Sequence, residues 1–394
     1  MNARRRFAGP MGGRRRKRLS LIAAGVVSAV ALAAAPAHPA GVTRDGDPPG
    51  GPSSSAPAEK VPAFGAYLDY GPRGVQRIDE LSQWLGGAEL RVGHTYLPGD
   101  RWSNIEGAPR FLEAWAAWRK ERADRLFVLN VPMLERNEER VGDGEVADLL
   151  RQGAAGRFDH HFRALARRLV DLGVPDTVLV PGWEMNGTTY THRCGPDPEA
   201  WKAYWNRIVT AMRSVAGQKF QFDFTPSRGR DAVPWTQCYP GDDVVDIIGM
   251  DSYDQPRGMP FDEQVTEPYG LQDHVDFAAA HKKPISYPEW GLFRNGDNEE
   301  YMRRMLKWMD EKKPVYNTVT DYCPHGIWQC KENPGASEVY RKVLSGRDDL
   351  PTAPVQPPVT PPACSPLELG EWVEHWLGGK LCLRLDWWQG QRRP

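Results

Sequence analysis

The feature of the sequence that most constrains the fold is a regular alternation of strand-like and helix-like segments that begins at Pro62. Short apolar runs bounded by Gly and Pro indicate buried strands, and apolar residues spaced three or four apart indicate helices. The predicted strands are 63–69, 89–96, 125–132, 177–183, 219–225, 244–253, 283–287 and 316–322. The predicted helices are 74–85, 109–123, 157–173, 197–216, 271–281, 298–312 and 337–344, with a short turn near Trp235. Eight alternations over about 285 residues favour a parallel (β/α)8 barrel rather than an open doubly wound sheet.

Polar and aromatic residues gather where the predicted strands end. These residues are Asp69, His94, Asn130, Glu184, Asn186, Ser227, Asp251, Tyr253, Glu289, Trp290, Asp321 and Trp328. A (β/α)8 barrel builds its functional site at the carboxyl ends of its strands. We therefore expect these residues to surround the site.

Two glutamates stand out because each ends an otherwise apolar segment. Glu184 ends the run VLVPGWEMNG at 178–187, and Glu289 follows a short strand in KPISYPEWG at 283–291. Each glutamate alone could simply cap a helix or pair with an arginine. Together they are what a glycoside hydrolase needs, since one carboxyl group donates a proton and the other acts as nucleophile.

Three motifs in order resemble one family. GWEMNG is followed by an aromatic helix with Trp201, Tyr204 and Trp205, then by YPGDDVVDIIGMDSYD at 239–254 and by KPISYPEWG. This order resembles glycoside hydrolase family 26, best known for β-mannanases, in the clan of retaining (β/α)8 glycosidases with catalytic residues on strands four and seven. Our strand count independently places the two glutamates on strands four and seven.

The resemblance implies a role for individual residues. Glu184 would be the acid/base, Glu289 the nucleophile and Tyr253 the tyrosine that hydrogen-bonds the nucleophile. Trp328 would floor a sugar subsite, and Asn186 would support the site. The chemistry then predicts a carboxyl separation of about 5 Å and retention of configuration.

Three further side chains are candidates for binding substrate. Trp183 and Trp290 flank the two glutamates, and aromatic rings match the C–H faces of pyranose sugars. His94 is a candidate for lining the cleft, although a histidine with satisfied hydrogen bonds inside the fold is the alternative we favour.

The chain departs from the family beside the acid/base. The family's β-mannanases carry His directly before that residue and Arg-Pro further back on the strand, whereas this chain has Trp183, Val180 and Pro181. The substrate is therefore either mannan or another β-linked polymer, such as a glucan, a xylan or a cell-envelope glycan. Long loops at 132–157 and 255–271 would wall an open cleft and favour internal cleavage.

The two ends of the chain differ from the barrel in composition. Residues 1–37 combine a basic start, an apolar run and a small-x-small site, which predicts a cleaved secretory signal rather than a membrane anchor. Residues 38–61 are predicted to be a disordered linker, and 346–363 a Pro-rich spacer. Residues 364–394 would form a small appendage that either packs on the barrel 62–345 or binds sugar or cell wall. The protein is thus expected to be secreted and extracellular or associated with the cell wall.

The six cysteines all follow the signal, as expected for an oxidising compartment. Six cysteines allow fifteen pairings. Proximity along the chain favours Cys323 with Cys330, Cys364 with Cys382, and Cys194 with Cys238.

Composition and spacing argue against several other functions. The chain has Lys+Arg 50 against Asp+Glu 51, so it shows no basic excess for binding nucleic acid. Closely spaced Cys and His ligands are missing, so we expect no metal. We also expect no other cofactor, no stable membrane insertion, and a monomer that acts on polysaccharide. The rival hypotheses are a catalytically inactive carbohydrate-binding barrel and a metal-dependent deacetylase.

Overall fold

The computed structural model describes residues 62–108 and 110–345, together with the backbone of residues 365–366 and 382–383. The predicted signal, both predicted linkers and most of the C-terminal appendage lie outside the described residues. In the appendage, Ser365–Pro366 pairs with Cys382–Leu383 in an antiparallel manner.

The described strands form a closed parallel barrel. They are β1 (Ala63–Tyr67), β2 (Val92–Tyr96), β3 (Leu126–Val131), β4 (Val178–Pro181), β5 (Gln221–Phe224), β6 (Ile247–Gly249), β7 (Ser252–Tyr253), β8 (Ile285–Gly291) and β9 (Tyr316–Thr320). Strands β6 and β7 are two parts of the sixth barrel strand, and both pair with β8. Pairing of β6 with β5 and of β9 with β1 completes the ring. The predicted (β/α)8 barrel is therefore confirmed.

Helices follow the strands around the outside of the barrel. They are α1 (Pro72–Trp84), α2 (Trp102–Ile105), α3 (Phe111–Lys120), α4 (Asp143–Ala154), α5 (Asp159–Asp171), α6 (Pro198–Arg213), α7 (Phe261–Thr266), α8 (Leu271–Ala280), α9 (Glu299–Lys312) and α10 (Pro334–Ser345), with a 3-10 helix at Trp235–Cys238. The predicted loops 132–157 and 255–271 are partly helical, since they contain α4 and α7. In α4 the buried residues Val146, Ala147 and Leu150 have helical spacing, but polar residues and Gly142 and Gly144 obscure that pattern in the sequence.

Strand β8 is longer than the sequence indicates. All seven residues of Ile285–Gly291 are buried, so Glu289 lies within the strand and not beyond it. The pairing with β9 is irregular between Tyr287 and Trp290. Pro288 lies in this irregular stretch, where a missing backbone N–H costs no ladder hydrogen bond. The proline that looks like a strand end therefore marks a local bulge.

Apolar side chains fill both the barrel and the layer around it. The interior holds Val92, Val128, Val178, Val180, Trp183, Ile247 and Tyr316. A larger cluster lies between the strands and the helices and includes the fully buried Trp115, Trp201 and Trp205. Because residues alternate along each strand, β2 also directs His94 inward, and β3 directs Asn130 inward. No helix within the described residues is long and apolar enough to cross a membrane.

Two of the predicted disulfides are present. Cys194 is bonded to Cys238 over a separation of 44 residues, and Cys323 is bonded to Cys330 over 7 residues. The first bond ties the loop after β4 to the 3-10 helix, and the second closes the loop after β9. The predicted pairing of Cys364 with Cys382 involves Cys364, which lies outside the described residues.

We expect the two disulfides to contribute unequally to stability. In the chain-entropy account a bond that closes a longer loop removes more freedom from the unfolded chain, about 4 kcal/mol for the first bond and about 2 kcal/mol for the second. Urea unfolding of Cys194→Ala/Cys238→Ala and of Cys323→Ala/Cys330→Ala measures both free energies of unfolding. Equal losses, or a larger loss for the second pair, would contradict this ranking.

Candidate active site

Glu184 is placed by an unusual turn at the end of β4. Gly182 has φ 63° and Glu184 itself has φ 52°, a left-handed conformation that non-glycine residues seldom adopt. A Cβ at position 182 would lie 2.3 Å from Sδ of Met133, so glycine is required there. The backbone N–H of Glu184 donates to the Thr225 carbonyl oxygen at 2.8 Å. Strained residues held by their surroundings are typical of functional sites.

Glu289 is held on β8 by donors from two other strands. The Asn130 amide donates to Oε1 at 3.1 Å, and the Tyr253 hydroxyl donates to Oε2 at 2.8 Å. The Tyr253 hydroxyl also lies 2.8 Å from Oγ1 of Thr320. A hydrogen bond with Tyr96 further favours the ionised form of Glu289. The side chain is therefore fixed and prepared to carry a negative charge.

His94 lies behind Asn130, within the barrel. Its Nε2 is 3.0 Å from Oδ1 of Asn130, and its Nδ1 is 2.9 Å from Oγ1 of Thr318. Burial lowers its pKa to about 4, so the ring is neutral near pH 7. Because the Asn130 amide nitrogen faces Glu289, its oxygen must accept, and we assign the proton to Nε2. His94 is fully buried and thus orients Asn130, as the structural alternative for this histidine predicts.

The two glutamates differ in their electrostatic surroundings. Burial, the charge of Glu289 and then the charge of Asp231 raise the pKa of Glu184 to about 8, against one hydrogen bond with Ser227. Burial also raises the pKa of Glu289, but hydrogen bonds with Tyr96, Tyr253 and Asn130 counteract that effect. The two groups are coupled, so their titrations belong to the pair. The arrangement favours one proton on Glu184 and a charge on Glu289.

A third carboxyl group, that of Asp251, lies buried close to this pair. Burial, followed by the charges of Glu289, Glu184 and Asp223, raises its pKa well above the usual range. It is 2% exposed, so the neutral form is strongly favoured. A protonated Asp251 adds no charge to the two catalytic candidates.

Trp183 and Asn186 lie on either side of Glu184 and have different surroundings. Trp183 is 3% exposed, with its ring 5.6 Å from that of Tyr96 and 5.0 Å from that of Tyr190. Its indole N–H has no hydrogen-bond partner among the described residues. Asn186 is fully buried, and its amide binds the backbone of Ser227 at 2.9 and 3.0 Å. Asn186 therefore supports the loop after β5 and does not face a ligand.

Trp290 and Trp328 also lie in different environments. Trp290 is fully buried, and its indole N–H donates to Oδ1 of Asn317 at 3.2 Å. The prediction that Trp290 contacts substrate is therefore wrong. Alternation along β8 turns Trp290 away from Glu289 and towards α10. Trp328 is partly buried, and its backbone N–H donates to Oδ1 of the buried Asp321 at 2.9 Å. Asp321 thus fixes the loop that carries Trp328.

Several tyrosines near the carboxyl pair were not predicted as site residues. Tyr67, Tyr96, Tyr190 and Tyr322 lie on four different segments around the end of the barrel. Burial, together with the charges of both glutamates, raises the pKa values of Tyr190 and Tyr322, which places these rings near the pair. Tyr322 is 49% exposed, unusual for so large a ring. The signal in the sequence was available, since Tyr67 and Tyr96 end β1 and β2.

The described residues hold one cluster of side chains of the kind that bind metals. It consists of Cys323, Cys330 and Glu332. The two sulfur atoms are joined in a disulfide, so the cluster offers no metal site.

Part of the chain matches a known protein family. Residues 162–342 match the sequence model of glycosyl hydrolase family 26. This segment includes both glutamates and the motifs that carry the resemblance. The predicted resemblance to family 26 is therefore confirmed.

Known relatives and solved structures agree with the family. A mannan endo-1,4-beta-mannosidase of Bacillus subtilis (strain 168) is 26% identical over 183 residues, which is 41% of this chain and 46% of that protein. The match thus spans about half the length of that curated relative. The Bacillus subtilis mannanase BCman has 18% identity and a TM-score of 0.54, covering 72% of this chain and 86% of its own. A modular endo-beta-1,4-mannanase from Cellulomonas fimi has 17% identity and a TM-score of 0.55, covering 73% of this chain and 71% of its own.

At these identities the solved structures establish the fold alone, which is the same (β/α)8 barrel. Residues 162–342 of the chain are similar to glycosyl hydrolase family 26.

Replacing Glu184 with glutamine should stabilise the protein at high pH. The pKa of Glu184 in the folded protein lies above its value in the unfolded protein. As the pH rises towards about 8, keeping Glu184 protonated in the folded protein therefore costs stability. Glu184→Gln should leave the melting temperature unchanged at pH 5 and raise it by at least about 2 °C at pH 9. The exposed Glu263→Gln serves as a control. A shift of equal size at both pH values would show that ionisation of Glu184 carries no such cost.

Proposed function

We propose that this protein is a secreted, retaining glycoside hydrolase that cleaves a β-linked polysaccharide internally. The proposal rests on the different environments of two neighbouring carboxyl groups. Glu184 is kept protonated by burial and by the charge of Glu289. Glu289 receives hydrogen bonds that favour its ionised form. The fourth and seventh strands of the barrel, which are β4 and β8, thus carry the proton donor and the nucleophile that a double displacement requires.

In the first step Glu289 attacks the anomeric carbon while Glu184 donates its proton to the glycosidic oxygen. The C–O bond to the leaving sugar breaks, and an ester forms between the sugar and Glu289. Ester formation removes the negative charge that raises the pKa of Glu184. Glu184 then ionises more readily and is able to accept a proton from water.

In the second step water attacks the same carbon from the opposite face of the sugar. Glu184 takes the proton of that water, and the ester bond breaks to regenerate the Glu289 carboxylate. Two inversions give net retention. Asn130 and Tyr253 position Glu289 for attack, and His94 acts indirectly by orienting Asn130.

β-Mannan is the first candidate substrate because the family 26 relatives are named as mannanases. A second group of candidates comprises glucan, xylan and cell-envelope glycan. It is favoured by Trp183, which directly precedes the proposed acid/base, where the family's mannanases carry histidine. The aromatic residues near the pair, including the exposed Tyr322, suit the faces of pyranose rings in any of these polymers.

Secretion is supported by the disulfides and by the predicted signal at 1–37. Both described disulfides lie in the barrel and are typical of an oxidising compartment. We propose that the chain acts as a monomer outside the cell. The rival function is a carbohydrate-binding barrel without activity, which does not account for the raised pKa of Glu184.

The direct test is a reducing-end release screen on mannan, glucans, xylan and bacterial envelope glycans. Glu184→Ala and Glu289→Ala should each lower activity on the preferred polymer by at least about 10³-fold, since proton transfer or the nucleophile is lost. NMR should show that the first sugar released keeps the β configuration. Glu263→Ala, on the exposed side of α7, is the matched control and should retain full activity.

Unchanged binding without release of sugar from any polymer would leave the inactive binding barrel as the better account. Circular dichroism of each variant separates loss of chemistry from loss of folding. Release of the α anomer from a β-linked substrate would show inversion, which contradicts the assignment of Glu289 as nucleophile.

A further inference from the structure

A groove with a volume of about 400 Å³ lies between the loops that follow β7, β8 and β9. Its lining residues are Arg257, Phe293, Arg294, Gly296, Pro324, Glu332 and Asn333. Most of these side chains are exposed, whereas Phe293 is partly buried. The groove is therefore open to solvent and has an aromatic wall.

The groove is adjacent to the carboxyl pair. The ring of Phe293 lies 6.2 Å from the ring of Tyr253, whose hydroxyl donates to Glu289. The ring of His325 lies 4.6 Å from that of Tyr253 and 4.8 Å from that of Phe293. A polysaccharide bound across the catalytic residues would thus extend naturally into this groove.

One wall of the groove is fixed by the buried carboxylate of Asp254. The Asn295 amide donates to Oδ1 of Asp254 at 2.9 Å, and the backbone N–H of Gly258 donates to Oδ1 of Asn295 at 2.6 Å. The backbone N–H of Arg294 donates to the Asp254 carbonyl oxygen at 3.0 Å. These bonds hold the segments that carry Arg257 and Arg294 beside each other.

The opposite wall is fixed by the loop after β9. The disulfide between Cys323 and Cys330 closes this loop. The buried Asn333 donates to the carbonyl oxygens of Pro324 at 2.9 Å and Gly326 at 2.7 Å. The groove is thus a preformed feature with rigid sides, as expected for a ligand site.

The two arginines of the groove form no ion pair with another described residue. Within the described part of the chain, neither Arg257 nor Arg294 has a carboxylate partner within 4.0 Å. The Arg294 guanidinium lies 4.5 Å from the ring centroid of Phe293. A guanidinium beside an aromatic face offers a stacking surface for a sugar ring together with donors for a carboxylate.

We propose that this groove is a subsite for a sugar unit that bears a carboxylate, a uronic acid residue within or attached to the polysaccharide. The inference extends the proposed function, since it names the substrate class of the same cleft. Phe293 packs against the sugar ring, and Arg257 and Arg294 bind the carboxylate. Glu332, on the other wall, repels a carboxylate and thereby orients it towards the two arginines.

The test measures binding to the inactive Glu289→Ala protein, so that it does not depend on hydrolysis. The probes are hexasaccharides of β-1,4-linked glucose and of β-1,4-linked mannose. Each is used in neutral form and with C6 partly oxidised to the carboxylate. Calorimetry should show about tenfold tighter binding of an oxidised hexasaccharide than of its neutral counterpart, and added salt should reduce the difference.

Substitutions test whether this difference in affinity between oxidised and neutral probes comes from the groove. Arg257→Ala/Arg294→Ala should abolish it, and Glu332→Gln should enlarge it. Arg167→Ala/Lys342→Ala removes two exposed positive charges that do not line the groove and should leave it unchanged. The proposal is overturned if no oxidised probe binds more tightly than its neutral form. It is also overturned if the advantage survives the double arginine substitution or is lost equally in the control.

A parallel assay separates this inference from the proposed function. With Glu289 intact, the wild type and Arg257→Ala/Arg294→Ala are assayed for hydrolysis of neutral and oxidised polysaccharide, and the substitutions should remove the preference for carboxylate. Hydrolysis without a preference for carboxylate would overturn the subsite alone. A preference for carboxylate without hydrolysis of any polymer would overturn the hydrolase function alone.

Discussion

The structure depends on one electrostatic constraint, which is that two carboxyl groups lie close together in a largely buried site. Two charges there would be costly, because burial disfavours the ionised form and like charges repel. The protein resolves this by making the two environments different. Donors from β2, β3 and β7 converge on Glu289, whereas Glu184 has one hydrogen bond and the repulsion of two neighbouring carboxylates. The proposed division of roles between acid and nucleophile rests on this difference.

The barrel supplies the geometry that this division requires. Parallel strands bring side chains from distant parts of the sequence to one end, so that Asn130 and Glu289 meet although 159 residues separate them. The apolar interior below the site anchors β4, and the left-handed turn at its end directs Glu184 away from the strand. The strain and the raised pKa values cost stability. The disulfides of the loops after β4 and β9 offset part of that cost.

The sequence predicts the barrel and singles out Glu184 and Glu289 because both depend on local patterns, namely buried strands and a carboxylate where each apolar segment ends. It does not predict α4, whose polar composition hides the helical spacing of Val146, Ala147 and Leu150. It also does not predict the buried position of Trp290, because the predicted strand ends at Tyr287 and β8 continues to Gly291. The part played by His94 also needs the structure, since both of its partners lie on other strands. Tyr190 and Tyr322 were missed because they lie in loops, where no periodic pattern indicates direction.

We infer that Glu184 holds its proton because Glu289 lies beside it in a buried site. An NMR titration of the two side-chain carboxyl carbons, in the wild type and in Glu289→Gln, tests this directly. Glu184 should titrate near pH 8 in the wild type. Its pKa should be clearly lower once the neighbouring charge is removed. A Glu184 pKa near the ordinary value of about 4.3, or one that Glu289→Gln leaves unchanged, would show that Glu289 does not hold the proton on Glu184.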